Sequence, residues 1–409
     1  MCGTFLRTMT RILLISRCPP YPLHLGDRLI VYHLASELDW RGHTIDLLAF
    51  ADRPEDYDEI HHYDMYFGSV ELIPEPGRSQ AAYLRRALLP GARWPRAAAE
   101  SWSPPMWEAI RRQLATHTYD LVHLFGGIQV YEFFHALGDV PALITPYESY
   151  SLYLRRALDS ALDVTSWATV YLQLQMARRF ESWMFTRYRR VVVLAERDRR
   201  ELLDIHPHLP VQVIPNGVDL YYFTFRRPFV RHHAPALLFV GNYEYAPNLD
   251  AALRLAKEIL PAVQRQIPGI KLWLVGNNPP PELQALAGES VKVTGRVPDV
   301  RPYLARAAAF ISPLRLGAGL KNKILEALAV GCPVIATPLS LDGIAVRDGQ
   351  DVLIAHDDSQ MIVAILRLLT DPALQTTLAH NGRCVVEQRY SWWRVAEQYE
   401  ELYDSIRGL

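Results

Sequence analysis

The stretch AAFISPLRLGAGLKNKILEALAVGCPVIAT, residues 308–337, carries the pattern that decides the fold. An apolar run of strand length at 308–314 leads through a loop with glycines into an apolar helical pattern. That pattern ends near Val330, and a second apolar run begins at Cys332. Short apolar runs separated by helices are typical of parallel strands that are buried on both faces. The stretch therefore predicts a strand, a helix and a strand of one parallel sheet.

The same alternation continues along the whole sequence. Apolar runs begin at positions 11, 44, 119, 141, 189 and 211 in the first half, and at 236, 271, 291, 308, 332 and 351 in the second. Helical patterns lie between most of them. The sequence therefore predicts an α/β protein with two doubly wound parallel sheets.

A break in the pattern indicates two domains. Pro215, Asn216 and Gly217 interrupt it, and no periodic element resumes until Ala236, which is typical of a linker. A surface loop within one large sheet is the alternative, but each half supplies enough strands for a sheet of its own. At the end of the chain, apolar side chains recur at helical spacing after Ser391, the predicted N-cap. The predicted segments are 1–216, 217–390 and a C-terminal helix at 391–409.

The composition argues against several classes of protein. Of 409 residues, 50% are hydrophobic and 21% charged, and the net charge of −1 provides no basic field that would favour nucleic acid as a partner. The four cysteines lie apart without zinc spacing, so we expect reduced thiols and no metal site. No apolar stretch approaches the ~20 residues of a membrane helix. We expect a cytoplasmic protein, with peripheral contact at the inner face of the membrane as an open alternative.

Two glycines, two lysines and a glutamate gather around the start of the predicted helix. Gly317 and Gly319 allow backbone N–H groups to approach a ligand, and a helix N-terminus favours phosphate. Lys321 and Lys323 oppose the helix dipole there unless an anion is bound. Glu326, about one turn further on, is suited to accept hydrogen bonds from ribose hydroxyls. Two interpretations remain open: a nucleotide site, or a solvated helix start with an i,i+3 ion pair.

Several motifs carry a resemblance to a known family. They are PNGVD at 215–219, LLFVGN at 237–242, LWLVGNNP at 272–279, VTGRVPDVRPYLARA at 293–307 and KILEALAVGCPVIAT at 323–337. In this order they resemble the signatures of glycosyltransferase family 4, the retaining group 1 transferases. In the N-terminal half, PPYPLHLGDRLIVYHLASEL and AFADRPED resemble a subgroup associated with exopolysaccharide export.

The resemblance implies a fold and a reaction. The fold is GT-B, in which two Rossmann-like domains face a central cleft and the last helix returns to the first domain. The reaction is sugar transfer with retention, without metal or cofactor, from a nucleoside diphosphate sugar to a glycan or lipid-linked acceptor.

The resemblance and the residue chemistry together indicate three groups of site residues. Glu326 matches the family glutamate that binds ribose, Gly26 the glycine that faces the diphosphate, and Arg296 lies in the segment that borders the base. The predicted donor-binding residues are Gly26, Gly241, Arg296, Gly319, Lys321, Lys323 and Glu326. The predicted acceptor-side residues are Arg28, His123 and Tyr147, and the predicted catalytic residues are Glu148 and Lys323.

This sequence departs from the family pattern at three places. Ala318 stands where the family has a glutamate that holds the donor sugar. Asn242 and Asn248 stand where many members have an arginine and a lysine, so we expect Lys321 and Lys323 to neutralise the diphosphate instead. Glu148 lies near the position of a missing catalytic histidine. These departures motivate an alternative function, a catalytically silent GT-B protein that binds nucleotide or glycan.

Two further segments have less specific interpretations. The acidic stretch Asp56-Tyr57-Asp58 has the D-x-D spacing of some metal sites, but it is expected to be a solvated loop because no metal-ligand cluster accompanies it. The segment 78–96 interleaves arginines with large apolar residues. It is interpreted as a surface loop, with contact to an anionic membrane as the alternative.

Overall fold

The structure is a computed structural model that describes residues 9–23, 26–77, 94–159, 163–225, 235–317 and 320–408. The described residues form two compact units. The first contains those within Met1–Pro215 and Val395–Leu409, and the second contains Asn216–Arg394. Most of the segment 78–96 lies outside the described residues.

The first unit contains a parallel sheet of seven strands. The strands are β1 (Arg11–Ser16), β2 (Thr44–Ala51), β3 (Ser69–Pro74), β4 (Leu121–Phe125), β5 (Ala142–Tyr147), β6 (Arg190–Val193) and β7 (Val211–Val213). They are arranged in the order β3-β2-β1-β4-β5-β6-β7, and every pair is parallel. The helices between them are α1 (Gly26–Trp40), α2 (Glu55–Asp58), α3 (Pro104–Thr116), α4 (Tyr150–Asp159), α5 (Val164–Met184) and α6 (Glu196–Ile205).

The second unit contains a parallel sheet of six strands. The strands are β8 (Ala236–Val240), β9 (Lys271–Val275), β10 (Val291–Val293), β11 (Ala309–Ser312), β12 (Val334–Ala336) and β13 (Leu353–Ile354), in the order β10-β9-β8-β11-β12-β13. The helices are α7 (Ala246–Arg254), α8 (Leu260–Gln264), α9 (Pro281–Gln284), α10 (Arg301–Arg306), α11 (Asn322–Val330), α12 (Asp358–Thr370) and α13 (Pro372–Arg389). The last helix, α14 (Trp392–Arg407), begins in this unit and continues in the first. A π-helical segment, Leu255–Ile259, joins α7 to α8.

The prediction of two doubly wound parallel sheets is confirmed. Each of the twelve apolar runs contains a strand, because central strands of both sheets are buried on both faces and their sequences are almost wholly apolar. Strand β3 is not among the predicted strands. This strand forms the edge of the first sheet, and most of its residues are only half-buried, so its sequence SVELIP lacks a continuous apolar run.

The stretch 308–337 folds as predicted into β11, α11 and β12. All four residues of β11 are buried, and so are six of the nine residues of α11. Gly331 ends α11 in the left-handed conformation with φ +82°, which glycine adopts without a steric penalty. Strand β12 then pairs directly with β11. Residues 313–317 therefore follow a buried strand, and Leu320 and Lys321 precede a largely buried helix.

Helix α14 begins at the predicted cap, since the N–H of Arg394 donates to Ser391 Oγ at 3.3 Å. From Val395 onward it belongs to the first unit. Glu400 accepts hydrogen bonds from Arg41 at 2.7 Å and contacts His43 Nε2 at 2.9 Å. These buried polar contacts fix the helix against α1 and the start of β2.

Candidate functional site

The order of strands places the topological switch point of the second unit at the carboxyl ends of β8 and β11. Strands β8 and β11 are neighbours in the sheet. The next strand after β8 is β9, toward one edge of the sheet, and the next strand after β11 is β12, toward the other edge. Ligands of doubly wound sheets bind at this switch point. The chain leads from β11 into the N-terminus of α11, so the lysines and the glutamate of the sequence prediction lie near this switch point.

Lys323 reaches from α11 to the end of β8. Its Nζ donates to the carbonyl oxygen of Val240 at 3.1 Å and to Asn248 Oδ1 at 2.7 Å, and it lies 4.7 Å from the centre of the Phe239 ring. None of these partners is charged. Burial, together with the nearby Lys321, lowers the pKa of Lys323 to about 7. The negative charge of Glu326 offsets this lowering only in part. A bound anion would supply further negative charge beside the ammonium.

Glu326 is half-buried one turn further along α11. Burial raises the pKa of Glu326 to about 7, and the charge of Lys323 opposes this shift. Within the described part of the chain, no group donates a hydrogen bond to its carboxylate. A carboxylate in this state is suited to accept hydrogen bonds from a ligand that carries hydroxyl groups.

The start of α11 is fixed by the loop that opens the second unit. Asn216 Nδ2 donates to Asn322 Oδ1 at 2.9 Å, and Asn216 is 4% exposed. Asn216 is the asparagine of the PNGVD motif, so the structure gives this motif a physical role. It holds the first turn of α11 in place.

The loop before α11 brings Gly317, Tyr245 and Lys321 together. Gly317 has φ +121°, and a Cβ there would lie 3.0 Å from the Tyr245 hydroxyl and 3.5 Å from Lys321 Nζ. Only glycine combines this backbone conformation with such close neighbours. Ala318 and Gly319 lie outside the described residues.

Two other predicted donor-binding residues follow strands of the same sheet. Gly241 follows β8, and a Cβ on this residue would lie 3.0 Å from Asn248 Cγ. A Cβ on Gly276, which follows β9, would lie 1.7 Å from the carbonyl oxygen of Gly241. Glycine at residue 276 is therefore required by the backbone of Gly241, and glycine at residue 241 allows Asn248 to pack closely. Arg296 follows β10 and is exposed. Their donor-binding roles stay predictions.

In the first unit, the structure brings the start of α1 next to the end of β5. The Tyr147 hydroxyl donates to the carbonyl oxygen of Asp27 at 3.3 Å, and the exposed Gly26 precedes Asp27 as the first residue of α1. Tyr147 has φ +72°, and the N–H of Glu148 donates to the Pro146 carbonyl at 3.0 Å. This turn strains a non-glycine residue, and such strain is concentrated at functional sites. Glu148 is exposed at the turn.

A buried carboxylate network, which the sequence analysis missed, supports this turn. Glu181 accepts hydrogen bonds from the N–H of Tyr150 at 2.8 Å and from the hydroxyls of Ser149 and Ser151, while Asp198 accepts from the N–H of Ser149 at 2.8 Å. Burial raises the pKa of Glu181 to about 7, and the hydrogen bonds oppose this. The carboxylates complete the N-terminus of α4. No sequence signal identifies them, because Glu181 looks like any polar residue of an amphipathic helix.

Two predicted acceptor-side residues are structural instead. The Arg28 guanidinium is 3% exposed; it donates to Asp56 at 2.8 Å, to Asp52 at 2.9 Å and to the Tyr21 carbonyl. His123 is buried between Tyr403 and Thr145, with both ring nitrogens 2.8 Å from a hydroxyl oxygen. Burial lowers the pKa of His123, so the ring is neutral. The predictions of Arg28 and His123 as acceptor-binding residues are wrong because neither side chain is accessible.

The acidic stretch at 56–58 also differs from its prediction. Asp56 is fully buried and accepts hydrogen bonds from Arg28 and Arg53. These arginines lower the pKa of Asp56 against the effect of burial. The D-x-D spacing therefore marks a structural ion pair at α2. Within the described ranges, no three His, Cys, Asp or Glu side chains gather into a group that could hold a metal ion.

The helices in the described part of the chain were compared with the length and composition of a membrane-spanning helix. No single helix there is both long and apolar enough. Helices α12 and α13 meet the criteria of length and composition only as a pair, which is bent by 104°.

Comparisons with known proteins agree with this architecture. A model described as Glycosyltransferase Family 4 matches residues 29–222, and one described as Glycosyl transferases group 1 matches residues 234–371. A phosphatidyl-myo-inositol mannosyltransferase of Mycobacterium tuberculosis is 27% identical over 208 residues, which are 48% of this chain and 54% of that protein. The chain thus spans about half the length of the curated relatives it matches.

Solved structures share the fold along almost the whole chain. Sucrose-phosphate synthase from Thermosynechococcus elongatus has a TM-score of 0.71 at 21% identity, covering 98% of this chain and 99% of that one. HepE of Anabaena, solved with UDP and glucose, has a TM-score of 0.64 at 15% identity, covering 97% and 100%. With both sheets and both family matches in chain order, this protein belongs to the group 1, family 4 glycosyltransferases and has the GT-B fold.

Proposed function

We propose that this protein is a retaining, metal-independent glycosyltransferase that moves a sugar from a nucleoside diphosphate donor to a glycan or glycolipid acceptor. One observation carries the proposal: Lys323 and Glu326 lie together near the switch point of the second sheet. Lys323 can bind an anion, and Glu326 can accept hydrogen bonds from hydroxyl groups. A nucleoside diphosphate presents both. The Anabaena relative was solved with UDP, which supports a donor of this class.

The chemistry follows from charge stabilisation at the donor phosphates. As the bond from the sugar to the diphosphate breaks, negative charge develops on the leaving oxygen. Lys323, Lys321 and the N-terminus of α11 stabilise this charge, so no metal and no additional cofactor is required. The acceptor hydroxyl attacks from the side of the leaving group, a donor phosphate oxygen takes its proton, and the configuration at the anomeric carbon is retained.

The remaining assignments concern base, acceptor and pathway. We assign Arg296 to the border of the base, Gly26 to the diphosphate, and Glu148 with Tyr147 to the acceptor hydroxyl. The strained turn at Tyr147 supports the last assignment. From the resemblance of the N-terminal motifs, we also assign the protein to the subgroup associated with exopolysaccharide export.

A thermal-shift screen tests the proposed function. UDP, GDP, ADP, CMP and inorganic phosphate are added separately to the purified protein, with uridine, guanosine and adenosine as controls. A ligand that binds only the folded state raises its stability by mass action. We expect one nucleoside diphosphate to raise the melting temperature, and its nucleoside to raise it less. No shift with any nucleotide, for a folded protein, would contradict the donor site.

A catalytically silent nucleotide-binding or glycan-binding protein is the alternative function. Ala318, in place of the glutamate expected to hold the donor sugar, favours it. Hydrolysis or transfer from a panel of radiolabelled nucleotide sugars distinguishes the two. Turnover excludes the silent protein, whereas nucleotide binding without turnover of any donor favours it.

Peripheral membrane contact is the last part of the proposed function, and α5 provides a surface for it. Residues 164–177 carry no charge, and side chains at helical spacing on one face are exposed: Val164, Trp167, Tyr171 and Leu172. Further along α5, Leu174 and Ala177 are buried and pack with Leu154 of α4. Tryptophan and tyrosine favour the interfacial region of bilayers. The similarity to a phosphatidyl-myo-inositol mannosyltransferase supports a lipid acceptor at the inner face of the membrane.

The double substitution Trp167→Ser and Leu172→Ser tests this surface. We expect it to lower partitioning onto phosphatidylglycerol and phosphatidylethanolamine vesicles by about tenfold, since two apolar side chains leave the interface. Co-sedimentation measures the effect, and Val363→Ser on α12, at a side chain 64% exposed, is the control. Unchanged partitioning would contradict the proposal. A wild-type dimer that the double variant abolishes would assign this face to self-association.

A further inference from the structure

Asn248, a residue without charge, contacts the ammonium of Lys323. Its side chain is 7% exposed, and its Nδ2 donates to the carbonyl oxygen of Asn242 at 2.9 Å. This bond fixes the orientation of the amide, because a carbonyl accepts only from the NH₂ end. Oδ1 is thereby turned toward Lys323 and accepts from Nζ at 2.7 Å.

The backbone around Asn248 makes this position rigid. Its own N–H donates to the Tyr245 carbonyl at 2.9 Å, and a Cβ on residue 241 would make a tight contact with its side chain, 3.0 Å from Cγ. Gly241 therefore provides the space in which Asn248 packs. Asn248 lies on α7, whereas Lys323 lies on α11, so the contact joins two helices that pack on the same sheet.

Both oxygens that hold Lys323 are neutral. An ammonium has three N–H groups, and the Val240 carbonyl and Asn248 Oδ1 accept from two of them. A carboxylate at residue 248 would hold the lysine equally well but would cancel its charge. A neutral amide directs the ammonium while its charge and one N–H stay available to a ligand anion.

We propose that Asn248 is a positioning residue that aims the ammonium of Lys323 at the diphosphate of the donor. The inference rests on the proposed function, since it assigns the ligand of Lys323. It adds a residue on a different helix, and it explains why an asparagine serves where a carboxylate of the same shape would fail.

Two substitutions separate positioning from packing. Asn248→Asp keeps the shape of the side chain, whereas Asn248→Ala removes it. The ligand is whichever of UDP, GDP and ADP the wild type binds. We expect both substitutions to lower the affinity for this diphosphate by about tenfold and the affinity for the matching nucleoside by less than about twofold. Titration calorimetry measures the affinities. Asn381→Ala, which removes another amide of the second unit that donates to a backbone carbonyl, is the control.

A second readout does not depend on nucleotide binding. The chain has only five lysines, at 257, 271, 292, 321 and 323, so acetylation of each can be followed by mass spectrometry as a function of pH. In the wild type, Lys323 should react at lower pH than Lys257 because its pKa is lowered to about 7. Asn248→Asp should shift the Lys323 profile to higher pH by at least about one unit, through a new adjacent negative charge. The Lys257 profile should stay unchanged.

The two readouts distinguish failure of the inference from failure of the proposed function. If the wild type binds a nucleoside diphosphate and Asn248→Asp binds it equally well, the positioning role is wrong and the donor site stands. If no nucleotide binds but the acetylation profile shifts, Asn248 positions Lys323 for a different anion and the proposed donor is wrong. An unchanged acetylation profile in folded Asn248→Asp overturns the inference in either case.

Discussion

Replacing Lys323 by methionine should weaken binding of the nucleoside diphosphate by about 100-fold and binding of the matching nucleoside by less than about twofold. The side chain supplies the ammonium that lies at the switch point of the second sheet, held by Val240 and Asn248. A charge-assisted hydrogen bond to phosphate in a partly buried site contributes about 1.5–3 kcal/mol, and the upper part of this range corresponds to about two powers of ten in affinity. Methionine keeps much of the apolar stem, so the helix should remain intact.

Titration calorimetry with a nucleoside diphosphate and its nucleoside measures this difference. Glu326→Ala is the matched control, because a residue that binds ribose should weaken both ligands by the same factor. Lys257→Met is a second control, on the π-helical segment of the same unit. Equal losses of diphosphate and nucleoside in Lys323→Met would refute the phosphate role of Lys323.

The same lysine should make the affinity depend on pH. Burial lowers the pKa of unliganded Lys323 to about 7, and a bound diphosphate raises it again. The phosphate contribution is therefore complete below pH 7 and is lost as the pH rises from 7 toward the pKa of the bound state. The affinity ratio of diphosphate to nucleoside should fall between pH 7 and 9, and in Lys323→Met it should stay flat. As the pH rises through 7, ionisation of Glu326 should strengthen binding of both ligands by the same factor. Taking the ratio of the two affinities therefore cancels the effect of Glu326.

The second large effect concerns stability: Arg28→Ala should lower the free energy of unfolding of the first unit by about 3 kcal/mol. Its guanidinium is buried with Asp56, and removing one partner of a buried pair leaves an uncompensated charge. Arg53 also bonds to Asp56, at 2.6 Å, which reduces the loss. Because Arg53 is 33% exposed, Arg53→Ala should cost only about 1 kcal/mol.

Urea denaturation followed by tryptophan fluorescence measures both substitutions, with the transition of the first unit fitted separately. Nucleotide affinity of the folded Arg28→Ala protein should equal that of the wild type. If Arg28→Ala lowers the free energy of unfolding by less than about 1 kcal/mol and weakens acceptor binding, Arg28 is an acceptor-side residue and not a structural one.

Much of the fold could be predicted because strands and helices follow local periodicity. Buried parallel strands such as β11 are continuous apolar runs, and Ser391 and Gly331 stand where helix ends require a cap and a left-handed residue. The edge strand β3 was missed because only part of it is buried. Strands and helices are therefore predictable where burial recurs at regular spacing along the sequence.

The site could be predicted only in part, for a related reason. Lys321, Lys323 and Glu326 lie within six residues of sequence, so their grouping was visible. Asn248 lies 75 residues before Lys323, and Glu181 lies 32 residues after Ser149, so only folding brings these pairs together. The error about Arg28 has the same origin. Its carboxylate partner Asp56 is 28 residues away, and both residues carry charges that normally face solvent.

The sequence by itself determined the α/β class, the succession of strands and helices, and the family motifs from Pro215 to Thr337, since these depend on hydrophobic periodicity and on residue types at fixed spacing. Only the tertiary structure decided which polar groups are available to a ligand. Arg28 and His123 are enclosed by partners from distant segments, whereas Lys323 is held by neutral oxygens that leave its charge for an anion. Burial and hydrogen bonding depend on contacts across the sheets, and local sequence does not specify them.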